Sequence, residues 1–101
     1  MIARLWTTGI KPGRAEAYEA FARDVSLPMF REQVGFAGCI MSRDGDSASV
    51  LTLWSGPEAV EALNASSSYQ TTVSAILAAD LLTGDQTTKV SEVHLIDVPG
   101  S

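Results

Sequence analysis

Hydrophobic and polar positions divide the chain into six blocks. Residues 2–8 hold Ile2, Leu5, Trp6 and two threonines, residue types that suit a strand. Lys11-Pro12-Gly13 ends that block. From Arg14 the period changes: Tyr18, Phe21, Ala22, Val25 and Met29 recur at spacings of three and four, with Arg14, Glu16, Glu19 and Arg23 on the other side, which predicts a helix. Pro28 falls inside this pattern. It lacks an N–H and clashes with the carbonyl of residue 24, so a kink or break is expected near residues 26–27, and Gly35 ends the stretch. Residues 36–43 and 48–55 read as two strands joined by Asp44-Gly45-Asp46-Ser47, a strong hairpin signal. Ser55-Gly56-Pro57-Glu58 has capping-box spacing, so Ser55 is expected to cap a short helix carrying Ala59, Val60 and Leu63. After Asn64-Ala65-Ser66-Ser67-Ser68, the stripe Tyr69, Val73, Ile76 and Leu77 predicts another helix. Gly84-Asp85 reads as a turn and residues 87–98 as the last strand. Residues 1–98 are expected to form one domain, with Pro99-Gly100-Ser101 as a tail.

Strand, helix, strand, strand, helix, strand is the order of the ferredoxin-like α+β fold, a βαββαβ chain whose four-stranded antiparallel sheet has its helices on one face. Strand alternation groups Ile2, Arg4, Trp6 and Thr8 with Val50, Thr52 and Trp54, and with Glu92, His94, Ile96 and Val98. The aliphatic sets Leu51/Leu53 and Val93/Leu95 are taken as the ones the helices cover. The first group then occupies the open face, and the second strand stays unphased, with Phe36 and Ile40 or Cys39 and Met41 as its two options. So apolar an open face needs a cover, and the simplest cover is the same face of a second copy, giving a homodimer.

Charge narrows the partners. Seven Lys+Arg against twelve Asp+Glu give a net charge of −5, which argues against nucleic acid and gives no attraction to an anionic membrane. The opening MIARLWTT lacks the apolar run of a signal peptide and no stretch approaches a membrane span, so a cytoplasmic location is expected. Cys39 is the one cysteine and reads as a buried, inert thiol. One His, one Cys and scattered acids supply no metal-ligand set, and phosphate-binding glycine loops are absent, so neither metal nor cofactor is expected. His94 is the only histidine. With Glu92 two residues away on the same strand face, it is the candidate general base for a phenol or enol, and Arg4 and Trp6 are candidate substrate contacts on that face.

Three segments carry a family resemblance: Lys11-Pro12-Gly13-Arg14 after the first strand, Gln33-Val34-Gly35-Phe36-Ala37-Gly38 at the start of the second, and Trp54-Ser55-Gly56-Pro57-Glu58-Ala59 followed by Ser68-Tyr69. With these the chain resembles the dimeric α+β barrel superfamily and, within it, the antibiotic-biosynthesis-monooxygenase-like domains. The resemblance implies a homodimer with the two sheets face to face and a cavity between sheet and helices. It places Trp54 beside the substrate and offers Tyr69 as a hydroxyl donor. Haem-degrading members use a histidine in the second helical region and an asparagine on the first strand; residues 59–79 hold no histidine, and Thr7 and Thr8 stand on the first strand. The implied activity is that of a small monooxygenase, independent of metal and flavin, acting on a phenolic or polycyclic aromatic substrate. The alternative is a non-catalytic dimer that binds a small aromatic ligand.

Overall fold

In the computed structural model, which describes residues 1–100, β1 (Ile2–Ile10) leads into a helical run made of α1 (Ala15–Phe21), a π-helical turn (Ala22–Ser26) and α2 (Leu27–Arg31). β2 (Phe36–Asp44) and β3 (Ser47–Trp54) form a hairpin. The helices α3 (Pro57–Ala65) and α4 (Ser67–Ala78) follow, and β4 (Leu82–Glu92) closes the sheet. Strand order is β2-β3-β1-β4 and every pairing is antiparallel. This is the expected ferredoxin-like α+β arrangement. Ser101, the last residue of the expected tail, lies outside the described residues.

The expected break before Pro28 takes the form of the π turn. The Leu27 N–H bonds to the Ala22 carbonyl, five residues back, while the flanking residues keep right-handed helical angles. Pro28 has no N–H to give and falls in the first turn of α2. One widened turn thus absorbs the missing bond without ending the helical run.

The alternation groups the β1 and β3 residues correctly, and Glu92 with Ile2, but His94, Ile96 and Val98 lie beyond the strand and the helices cover the opposite face from the one expected. Ile2, Arg4, Thr8 and Ile10 are buried, as are Ala48, Val50, Thr52 and Trp54, whereas Leu5, Leu51 and Leu53 are partly exposed or exposed. Pairing carries Val90 and Thr88 to the same covered face, opposite Arg4 and Trp6. Choosing the more aliphatic set fails because the covered side holds polar groups that find partners there. Thr52 is fully buried, accepts a hydrogen bond from Trp54 Nε1 at 2.8 Å and donates to the Arg4 carbonyl at 3.4 Å. In β2 a register shift between Phe36 and Gly38 lets Phe36, Cys39 and Met41 all pack against the core. A strict alternation therefore could not phase that strand.

β4 also departs from its expected bounds. It begins at Leu82, and Gly84-Asp85 lies within it where the register against β1 shifts between Thr7 and Gly9; Gly84 has φ +67°, so the pair forms an irregularity inside a strand rather than a turn before one. β4 ends at Glu92, opposite Ile2, where β1 begins. One further bond, from the Val93 N–H to the Met1 carbonyl (2.9 Å), extends the ladder past Glu92. Residues 93–98 keep a strand-like sequence, but β1 has no length left to pair with them.

Two buried clusters fill the space between sheet and helices. One centres on Trp54, which meets the rings of Phe30 and Phe36 edge-on with centroids 6.3 and 5.6 Å away. The other gathers Ile10, Tyr18, Ala22, Ile76 and Leu81. Trp6 and Met41 touch both.

Candidate functional site

Between the two clusters lies a cavity of about 150 Å³. The sheet supplies Arg4, Trp6, Val50, Leu82, Gln86 and Thr88; the first helical run supplies Tyr18, Ala22, Ser26, Met29 and Phe30; α4 supplies Tyr69, Thr72, Val73, Ile76 and Leu77. The π turn is thus part of its wall. No Asp, Glu, His or Cys is among the lining residues.

Arg4 dominates the electrostatics. It is 5% exposed, and its Nη2 donates to the Tyr69 hydroxyl at 2.6 Å, with Cζ 5.3 Å from the centre of that ring. Among the described residues no carboxylate forms an ion pair with it; the ion pairs join Lys11 to Asp80, Arg23 to Asp24 and Arg43 to Glu19. No buried side-chain nitrogen or oxygen of the described residues lacks a partner. Among the described residues Arg4 Nε and Nη1 bond no other group, so they reach the free space of the cavity.

Tyr69 is held by the start of α4. Ser66 caps that helix, its hydroxyl accepting from the Tyr69 N–H at 3.3 Å, and Gln33 donates to Ser68 Oγ at 3.0 Å. Across the cavity floor, Gln86 donates to Thr8 Oγ1 at 3.2 Å and to the Gly84 carbonyl at 3.1 Å. Tyr18 is 4% exposed, and burial first, then the neighbouring Cys39, pushes its phenol up to about 12. The Cys39 thiol is itself raised by burial, with Arg31 acting weakly against that.

The six residues singled out from the sequence fall in three places. Arg4, Trp6 and Tyr69 line the cavity. Trp54 is fully buried in the neighbouring cluster and is not among the lining residues. Glu92 closes β4 and His94 follows it, both exposed and both away from the cavity of this chain. Sequence reasoning missed Tyr18 and Gln86. Tyr18 sat in a helical stripe indistinguishable from core, and Gln86 stood beside what read as a turn. The expected cap Ser55 is also displaced: Gly56 is the N-cap of α3, with no side-chain cap bond, and the Ser55 N–H instead donates to the Gly35 carbonyl at 2.8 Å.

An antiparallel sheet in the order β2-β3-β1-β4 with its helices on one face is the ferredoxin-like α+β fold, here with a cavity beneath the helices. No protein-family model matches the chain, and no curated protein matches its sequence. Solved structures do match in shape. The chain is similar to the NE2512 protein of unknown function from Nitrosomonas europaea (TM-score 0.79, 18% identity, 99% of this chain and 95% of that one). It is likewise similar to SnoaB, a cofactor-independent oxygenase from Streptomyces nogalater (TM-score 0.75, 18% identity, 94% of each chain). A structure described as an antibiotic biosynthesis monooxygenase matches with TM-score 0.74 at 16% identity over 92% of this chain and 98% of that one. At such identities the likeness establishes the fold.

Proposed function

We propose that the protein is a small cofactor-independent monooxygenase that oxidises an electron-rich phenol in the cavity between sheet and helices. The observation that carries the reading is a buried cation without a counter-ion among the described residues, set in a cavity walled mainly by aromatic and aliphatic side chains. Such a cavity favours the ionised form of a bound phenol, because the nearby positive charge acts at low dielectric. The phenolate, unlike the phenol, gives electrons readily to molecular oxygen. The resulting peroxide on a ring carbon loses that carbon's proton as the O–O bond breaks. One oxygen remains as a quinone carbonyl, the other leaves as water, and phenol plus O₂ balances quinone plus water. The chain's own part is to bind and orient the ring, exclude bulk water and hold the charge. SnoaB supports the reading as a protein of the same fold described as a cofactor-independent oxygenase.

Within one chain, Arg4 and Tyr69 stand closest to this chemistry, Trp6 packs against the ring, and Trp54 stiffens the wall behind it. His94 with Glu92 would serve as proton acceptor only for a substrate that reaches the exposed end of β4. Oxygen uptake with a hydroquinone, in the presence of chelator, tests the reading. Arg4→Gln is expected to lower the rate at least 10²-fold, while His94→Ala lowers it comparably only if the exposed pair takes the proton. Binding of phenols with no oxygen uptake would favour the alternative of a non-catalytic binding protein.

We further infer that two copies associate through the uncovered sheet face. Leu5 and Ile40 are 36% and 57% exposed there, beside Leu51 and Leu53. Sedimentation at micromolar concentration is expected to show a dimer, and a folded monomer would refute it.

A further inference from the structure

We propose that the cavity selects a monocyclic aromatic oxyanion: one ring, bearing a phenolate or carboxylate that completes the missing ion pair of Arg4. The inference names the substrate class of the site just assigned; it rests on that reading for the chemistry but not for the binding.

Size comes first. A protein cavity of about 150 Å³ with apolar walls holds a single benzene ring. This cavity has the same volume. Phe30, Met29 and Ile76 form a packed inner wall, so a fused two-ring or larger aromatic would have to extend its second ring out through the mouth, where Leu77, Gln86 and Thr88 are exposed, and would bury a smaller share of its apolar surface. The polycyclic option among the expected substrates is therefore the less favoured one.

Charge comes second. Removing a guanidinium from water carries a large desolvation penalty unless a partner repays it. Among the described residues its only hydrogen-bond partner is a neutral hydroxyl, and none of the acids among them lines the cavity. Of the five N–H donors of Arg4, one is used by Tyr69, and Nε and Nη1 open onto the free space. The N–H of Nε and those of Nη1 lie on different edges of the guanidinium; on the edge that Tyr69 leaves free, one of them pairs with the second Nη2 N–H and suits the two oxygens of a carboxylate, while a single N–H suits a phenolate oxygen. The Tyr69 hydroxyl accepts from Arg4, so its own proton is free to point at the same oxyanion. A neutral aromatic of the same shape would fill the space but leave the cation unpaired, so discrimination should be large.

Ligand binding tests this without turnover. Benzoate and benzamide, nearly the same in shape, are titrated against Trp fluorescence and by calorimetry at neutral pH. Benzoate is expected to bind at least tenfold tighter, and Arg4→Gln is expected to erase the difference. In parallel, 4-nitrophenol, coloured only as its phenolate, is expected to show an apparent pKa at least one unit lower when bound than when free. A positive result in one arm alone supports the proposal and names the oxyanion. Equal binding of benzoate and benzamide together with an unshifted nitrophenol overturns it. 1-Naphthoate is expected to bind at least tenfold more weakly than benzoate, and equal or tighter binding overturns the one-ring limit. The wild-type comparisons decide the matter even if Arg4→Gln fails to fold. Oxyanion selectivity without any oxygen uptake would sink the oxygenase reading and leave this inference standing.

Discussion

If Arg4 is kept for a ligand, removing its charge should stabilise the empty protein. Arg4→Met is the informative change, since Met is unbranched and fills much of the space of the arginine stem. Three terms decide the sign. Burying one charge costs several kcal/mol even after relaxation. Against it stand the charged hydrogen bond to Tyr69, about 1.5–3 kcal/mol, and the contact of Cζ with the Tyr69 ring, about 0.5–2 kcal/mol when desolvated. No carboxylate is left stranded, because none is paired with Arg4 among the described residues. The balance is a net gain of about 1 kcal/mol, which for a domain of 101 residues is a rise in Tm of about 4–8 °C. Tyr69→Phe, the other half of the contact, should act in the opposite direction. It leaves the cation with no side-chain hydrogen-bond partner among the described residues and should cost about 1–3 kcal/mol. Urea denaturation with unchanged m, together with calorimetry, reads both variants. A loss of more than about 1 kcal/mol in Arg4→Met would show that its contacts outweigh its desolvation. Arg4 would then be a structural residue, and the ligand argument would lose its base.

Other consequences are more local. Thr52→Val should cost about 1–3 kcal/mol, because the fully buried Trp54 indole N–H loses its acceptor; an unchanged denaturation midpoint would contradict that. Gly35→Ala should cost about 2 kcal/mol or more, since φ is +85° and a Cβ would stand 2.5 Å from Ala59 Cβ; near-wild-type stability would show that the loop shifts freely. Ser66→Ala should cost about 1 kcal/mol through loss of the α4 cap, while Ser55→Ala should cost nearly nothing, and the reverse order in thermal melts would refute the capping assignment. Tyr18 holds its proton more tightly folded than unfolded, so its contribution is intact below about pH 10 and is lost as pH rises toward 12. That loss is about 2–3 kcal/mol, and a Tyr18→Phe variant should lack this part of the alkaline decline seen in denaturation at successive pH values.

The sequence by itself determined what depends on local geometry. Residue spacing gave the six blocks and their order. Asp44-Gly45 gave the hairpin, Pro28 the irregularity in the first helical run, and strand alternation grouped Arg4 and Trp6 with Thr52 and Trp54. The family resemblance that singled out Tyr69 also rested on a short stretch of chain. Only the tertiary structure decided which sheet face the helices cover, because both faces are apolar enough and the choice turns on where polar groups find partners. Thr52 is satisfied by Trp54 and by the Arg4 carbonyl, and Arg4 by Tyr69, 65 residues away, so the more polar set is the buried one. Pairing length likewise decided β4: a favourable strand sequence at residues 93–98 stays outside the ladder once β1 ends, which leaves His94 exposed beyond it. The cavity arises where two clusters fail to close on one another. That gap is a property of packing across the whole chain, and no residue pattern in the sequence carries it.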